Sequence, residues 1–319
     1  MKTLYVVTTN QCQLRCPFCY INFVEDFDKF DEIPEDKVSH IDPDMAYNVI
    51  KKGKYDTVVF HGGEPLLYPN TLLEIMQKCK GMGIDFSIQS NLAFKNLSQR
   101  QLEAISVCGG VGTSYNYDRF EGYSTQEEYF KSNIRELKSL GLGVSILITI
   151  TENHIYKQNP IALKDYIDGI STKIDSLIFE RVILPLEQLE NEVDRLEGFY
   201  MEADKYMKTC YEIFPREQTN LYNLVKNAIT YGTPFYNTEC SSFTHTLYPD
   251  KIKYGCPSLE KRNVDDSKKM AKCLECSWFK WCGGDCECFN HVCAFPVLLF
   301  ERVIKDLKQE LKEDTLNGL

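Results

Sequence analysis

Residues 3–20 read Thr3-Leu4-Tyr5-Val6-Val7-Thr8-Thr9-Asn10-Gln11-Cys12-Gln13-Leu14-Arg15-Cys16-Pro17-Phe18-Cys19-Tyr20. The run Thr3–Thr8 is short, apolar and β-branched, which predicts a strand. Three cysteines follow it with C-x3-C-x2-C spacing, on a loop at that strand's C-terminal end. Three thiolates can hold three irons of a four-iron cluster and leave the fourth iron open to another ligand. A structural zinc site takes four ligands, and neither a Cys nor a His nearby supplies a fourth. The spacing therefore favours an open-site cluster over a structural metal.

Outward from this stretch, β-rich runs alternate with amphipathic ones. Strands are expected at 3–8, 57–61, 85–90, 110–114, 143–149 and 176–183, with helices at 44–52, 71–82, 98–104, 125–140 and 161–170. Repeated βα units imply a parallel sheet, because parallel strands need crossover connections. Six units are too few for an eight-unit barrel, so the expected fold is α/β, a partial (β/α)6 TIM-like barrel over residues 1–185. Its active residues are expected on the loops after the strands' C-terminal ends. Residues 186–233 read as a helical connector. Residues 234–319 read as a small Cys-rich, loop-rich domain closed by a C-terminal helix that begins near Pro296.

The composition narrows the function classes. The 319 residues carry 36 Lys and Arg against 46 Asp and Glu, a net charge of -10, which disfavours a nucleic-acid partner. An apolar run of about 18 residues, long enough to span a membrane, is missing, and the N-terminus lacks a signal-peptide pattern. A cytoplasmic chain is expected. Its 14 cysteines are then metal ligands or redox groups rather than a disulfide framework. Cys79, Cys108 and Cys210 stand alone and read as small buried side chains.

Eight cysteines fall between residues 240 and 293. Cys273, Cys276, Cys282 and Cys286 have C-x2-C-x5-C-x3-C spacing, with Cys240 and Cys256 upstream and Cys288 and Cys293 downstream. By spacing alone this set could hold two four-iron clusters or two tetrahedral zinc ions. After the second expected strand stands His61-Gly62-Gly63-Glu64-Pro65. Its glycines allow close backbone approach to a ligand, and Glu64 offers an acceptor for an ammonium group.

The N-terminal cysteine motif, with its aromatic Tyr20 and the Gly-Gly-Glu-Pro segment, resembles the radical SAM superfamily. The resemblance implies that the open iron chelates S-adenosylmethionine. One electron, from a reductant such as flavodoxin or ferredoxin, cleaves it to methionine and a 5′-deoxyadenosyl radical that abstracts hydrogen from a substrate. It also implies that Gly62, Gly63, Glu64 and Pro65 hold the methionine amino group. Ser90-Asn91 and Ser114, with Asn116 and Asp118 close by, stand where relatives carry polar side chains; ordinary turn chemistry is the alternative. Tyr20 either packs beside cluster and adenine or belongs to the core. Glu180 and Arg181 end the sixth strand at the same mouth, or form a solvated ion pair.

Behind such a domain, the C-terminal cysteines resemble the SPASM extension of peptide- and protein-modifying relatives, with one or two auxiliary 4Fe–4S clusters. On that resemblance one cluster uses Cys240, Cys256 and Cys286. The other uses Cys273, Cys276, Cys282 and a late cysteine, Cys293 or Cys288. The first is either three-coordinate and open or completed by Cys288 or Cys210. Two departures stand out: Lys251 where relatives have Gly, and Pro257 where sulfatase-maturing relatives have Asp.

The expected activity is modification of a ribosomally made peptide, by crosslinking or epimerisation. The early position of the first motif suggests that a leader-peptide-binding domain, if one is needed, is a separate protein. A radical SAM enzyme acting on a small metabolite in cofactor biosynthesis is the second reading, and a zinc-binding adaptor the third.

Overall fold

The computed structural model describes residues 2–17, 19, 38–171, 174–181, 193–231, 244–254, 277 and 296–317. These fall into two compact units. The first comprises 1–147, 167–175 and 239–261; the second comprises 148–166, 176–238 and 262–319.

The first unit is built on a parallel sheet. Strand β1 is Thr3–Val7, β2 is Thr57–His61 and β3 is Asp85–Ile88. Strand β1 pairs in parallel with β2 from Thr3↔Thr57 to Val7↔His61, and β2 pairs in parallel with β3 from Thr57↔Asp85 to Phe60↔Ile88. Leu4, Val6, Val58 and Phe60 are fully buried. Burial on both faces explains why Thr-Val-Val-Phe-His is nearly continuous in apolar residues rather than alternating. Helices α1 (Pro43–Gly53), α2 (Pro69–Lys78) and α3 (Gln99–Val107) make the crossovers. Each start has a local cause. Asp42 accepts from Met45 N ahead of Pro43, Pro69 occupies the first turn of α2, and Ser98 and Gln101 form a reciprocal capping box.

Strand β4 (Gly110–Tyr115) follows β3, linked to it by Ser90 N donating to Gly112 O at 2.9 Å. Helix α4 (Ser124–Ser139) leads to β5 (Gly143–Ile150), which hydrogen-bonds β4 and runs on past the limit of the first unit. The result is an α/β fold with parallel sheets.

One element was not legible in the sequence. Strand β7 (Thr244–Leu247) pairs in parallel with the other edge of β1, from Thr3↔Thr244 to Val6↔Leu247, and β8 (Ile252–Tyr254) turns back antiparallel to it. Residues 239–261, grouped above with the cysteine-rich tail, thus cluster with the first unit. A short polar strand lacks periodicity of its own; it forms because the backbone of β1 would otherwise lack partners along that edge. Tyr55 Oη and His245 Nδ1, 2.6 Å apart, fasten the seam.

In the second unit, α5 (Glu152–Lys157), α6 (Pro160–Ile170) and β6 (Ser176–Arg181) precede α7 (Val193–Ile213), α8 (Asn220–Tyr231) and α9 (Val297–Asn317). The last residues of α6, from Ile167, cluster with the first unit. The buried carboxylate of Asp204 on α7 caps α9, accepting from Leu298 N at 2.8 Å and Leu299 N at 3.1 Å. Further along, Asp306 on α9 accepts from Tyr211 Oη at 2.9 Å and Arg216 Nη2 at 2.8 Å, and Arg302 Nη1 lies 3.0 Å from its other oxygen. Tyr222 Oη donates to Glu310 at 2.6 Å. His154, fully buried, meets Tyr206 Oη at 3.0 Å, and that hydroxyl donates to Gln158 O at 3.0 Å.

Candidate functional site

The loops leaving the C-terminal ends of β1, β2, β3 and β4 carry the sequence-predicted residues, and hydrogen bonds tie the loops together. The Gly62-Gly63-Glu64 segment lies directly on the cysteine loop. Gly63 N donates to Thr9 O and Glu64 N to Gln11 O, both at 2.7 Å. Gly62 has φ +120°, and a Cβ there would lie 2.6 Å from Thr9 O. A Cβ on Gly63 would lie 2.0 Å from Gln11 O. The glycines are thus explained by backbone packed on backbone. What they pack against is the cysteine loop itself.

Glu64 is fully buried. One carboxylate oxygen accepts from Leu66 N at 2.9 Å and Ser90 Oγ at 2.8 Å, and the other accepts from Asn91 N at 2.7 Å. The structure therefore turns this side chain inward, where it joins the loop after β2 to the loop after β3. Burial pushes its carboxyl up to about 7, against the pull of these three donors and the positive charge of Arg119.

Asn91 carries the link back to the cysteines. Its Nδ2 donates to Cys12 Sγ at 3.4 Å, and its Oδ1 accepts from Gln13 Nε2 at 2.9 Å. The next residue, Leu92, is fully buried with φ +53°, a left-handed conformation that costs a non-glycine residue about 1 kcal/mol or more. Asn133 on α4 holds it there by donating to Leu92 O at 2.9 Å and Phe94 O at 2.7 Å.

Among the cysteines, Cys16 is buried and Cys12 and Cys19 are partly so. Cys12 Sγ also accepts from Leu14 N at 3.4 Å, and Cys19 N donates to Cys16 O at 3.0 Å. Burial pushes the Cys12 thiol up to about 12, reinforced by Glu64 and Cys16. It pushes Cys16 up to about 11, with Arg119 acting the other way. Such thiols hold their protons until a cation replaces them. N–H donors on the sulfur of Cys12 suit a metal-bound thiolate. Among the described residues, no three His, Cys, Asp or Glu side chains lie close enough to share one metal ion. A cluster does not require that, since each of its irons takes a different thiolate. Cys12, Cys16 and Cys19 thus fit a multi-iron group, and their setting fits it too.

Ser114 is reached from β4, where its carbonyl and hydroxyl both accept from Arg119 Nη1. Asn116 is spent on turn chemistry, capping the short helical turn Tyr117–Phe120 by accepting from Asp118 N at 2.7 Å. Arg119 is the residue that sequence reasoning missed. It is 8% exposed, and its positive charge opposes the upward push of burial on the Cys16 thiol. An arginine in a turn reads as a surface residue, and only its place five residues after Ser114 could have flagged it.

Pro65 is buried and opens the turn Pro65–Leu67. Cys79 and Cys210 are buried. Cys108 is pushed up to about 12 by burial. Glu180 is exposed at the end of β6, in the second unit. Tyr20 and the cysteines at 240, 256, 273, 276, 282, 286, 288 and 293 lie outside the described residues. Among the described residues, no helix is long and apolar enough to cross a membrane.

Residues 6–154 match the radical SAM superfamily. The chain is 24% identical over 172 residues to an uncharacterized protein of Archaeoglobus fulgidus, covering 53% of this chain and 39% of that one. It is 27% identical over 104 residues to the radical SAM cyclopropyl synthase TigE of Paramaledivibacter caminithermalis, covering 28% of this chain and 22% of that protein. The chain thus spans well under half the length of these curated relatives. Among solved structures, BtrN in complex with AdoMet and 2-DOIA aligns over 58% of this chain and 71% of its own, at 16% identity and a TM-score of 0.29.

Proposed function

We propose that this chain, whose residues 6–154 carry a radical SAM superfamily domain, cleaves S-adenosylmethionine reductively and uses the resulting radical to modify a peptide. The observation that carries the reading is the hydrogen-bonded convergence of the Cys12–Cys19 loop, the Gly62–Glu64 loop and the Ser90-Asn91 loop at the strand ends of one parallel sheet. Fold-level likeness alone would not license a function; the convergence of thiols, polar side chains and strained backbone does.

Cys12, Cys16 and Cys19 would hold the cluster. When bound, the cluster and S-adenosylmethionine supply one-electron cleavage of a sulfonium and a carbon radical able to take hydrogen from an unactivated position. The chain's own contribution is positional. Asn91 and Leu14 direct N–H groups at Cys12 Sγ. Glu64 locks two loops into one piece. Burial of Cys16 keeps water from its sulfur.

The peptide substrate is supported by the spacing of the eight C-terminal cysteines, and a bond-forming outcome by the likeness to a protein named as a cyclopropyl synthase. Those cysteines would carry the auxiliary clusters. The test is anaerobic reconstitution, addition of S-adenosylmethionine and dithionite, and chromatography of 5′-deoxyadenosine. The wild-type chain should produce it, and Cys16→Ala should reduce it at least a hundredfold. Retained cleavage in that variant would sink the reading. Co-expression with a peptide encoded beside the gene, followed by mass spectrometry, then separates crosslinking (loss of two hydrogens) from epimerisation (no change). An unmodified peptide alongside active cleavage points to the small-metabolite reading.

A further inference from the structure

Two polar side chains stand next to each other on the parallel sheet, one residue below the loops of the candidate site. Strands β2 and β3 pair Phe60 with Ile88, and Gln89 N continues the ladder by donating to Phe60 O at 2.9 Å. Successive side chains of a strand alternate between faces, and adjacent strands lie about 4.8 Å apart. His61 and Gln89 therefore share the face opposite Phe60 and Ile88, as neighbours. Gln89 in turn pairs in parallel with Gly112 on β4. A Cβ on Gly112 would lie 2.3 Å from Gln89 Nε2 and 2.7 Å from its Oε1, so the carboxamide lies in the space a side chain would fill. A glycine inside a strand often marks such a close approach. The Gln89 side chain is half-buried, and among the described residues its carboxamide has no hydrogen-bond partner. A half-buried amide in that state is satisfied by water or by a ligand. His61 Nδ1 accepts from Gly62 N at 2.6 Å, and burial pushes the imidazole down to about 4. The neutral ring then carries its hydrogen on Nε2. Tyr5 braces the ring edge-on, with centroids 6.0 Å apart at 74°.

We propose that Gln89 is a specificity-determining residue whose carboxamide hydrogen-bonds a peptide group of the substrate, with His61 Nε2 donating alongside it. The inference rests on the proposed function above and deepens it by naming the part of the substrate that is read. A carboxamide carries a donor and an acceptor side by side in one plane, the complement of an amide's own C=O and N–H. Neither side chain is charged, so the pair offers no ion pair to a carboxylate or an ammonium group. Gly112 acts through Gln89, by leaving room for the amide.

The test measures initial rates of modification of the peptide encoded beside the gene, by mass spectrometry over a range of peptide concentrations. The reconstituted full chain is compared with Gln89→Leu, Gly112→Ala and the double variant, with iron content measured for each. Gln89→Leu keeps the volume and removes donor and acceptor. Its KM for the peptide should rise about tenfold, with kcat within about threefold of wild type. Gly112→Ala leaves Gln89 in the chain but pushes its amide aside, and should raise KM in the same direction. In the double variant KM should rise no further than in Gln89→Leu, because the alanine then has no amide to displace. An unchanged KM in Gln89→Leu overturns the proposal, as does a loss confined to kcat. Full additivity of the two substitutions overturns it too, by assigning the effect to packing. Should Gln89→Leu fail to retain iron, Gly112→Ala decides, since the end of the Gln89 side chain is flexible and can give way. A wild-type chain that forms 5′-deoxyadenosine but leaves the peptide unmodified overturns the peptide reading, and this inference with it. One that forms none overturns the radical SAM reading itself.

Discussion

Two polar networks, the first buried and the second partly exposed, can be set side by side. In the first unit, Glu64, Ser90 and Asn91 link loops and end on the Cys12 sulfur. In the second, Asp306, Arg216, Tyr211, Tyr222 and Glu310 link helices and end on one another. Both bury charge, and both satisfy most of it. They differ in backbone and in terminus. The first rests on positive-φ residues, Gly62 at 120° and Leu92 at 53°, and delivers N–H groups to thiols. The second uses ordinary helical backbone and closes on itself. Burial of charge alone therefore does not mark a site. Strain that the surroundings hold in place, together with groups that end on a possible ligand, does.

The sharpest way to break the comparison is Gly63→Ala. Its Cβ would meet Gln11 O and C at 2.0 and 2.6 Å, and both are backbone atoms that cannot swing away. Overpacking of this kind costs about 3 kcal/mol or more. Bound iron at the N-terminal site should fall severalfold while the circular dichroism of the helices stays near wild type. Full iron loading in that variant would mean that the loops are not interlocked as the structure has them.

The second unit should respond to pH rather than to metal. Burial holds His154 down at about 4, against an ordinary value of 6.5. A depressed base stabilises the fold above its unfolded value, and that stability is lost as pH falls. Between pH 6.5 and 4 the second unit should lose about 3 kcal/mol, since each tenfold change in a proton-binding equilibrium is worth roughly 1.4 kcal/mol. Urea titrations of wild type and His154→Gln at several pH values would show it: the variant's curve should be flatter across that window. Parallel curves would contradict a neutral, buried imidazole.

Asp306→Ala should have the smallest effect of the three. It strips the acceptor from Tyr211, Arg216 and Arg302, but Arg216 is 44% exposed at its side chain and can be rehydrated. A loss of about 2 kcal/mol in urea is expected, less than for a fully buried pair. Iron content should not change. If iron were lost along with stability, the two networks would not be separable.

Much of the first unit's fold was readable because its signals are local. Thr57–His61 is a strand to the residue, as its β-branched run predicts. Helix α2 starts at Pro69 and ends at Lys78, earlier than the expected 82, because Gly81 and Gly83 take φ +84° and +69° and cannot continue it. Strand β7 was invisible because Thr-His-Thr-Leu has too few residues to show a period, although Thr246 is fully buried.

Spacing alone determined that three thiols would lie on one loop after the first strand, since covalent distance and strand direction leave little choice. Only tertiary structure decided that Glu64 turns inward, that the paired glycines pack on the backbone of Thr9 and Gln11, and that Arg119 is buried against Ser114. Those outcomes depend on residues distant in sequence meeting in a space without water. There, every donor must find an acceptor, and the sequence order of the partners carries no record of the meeting.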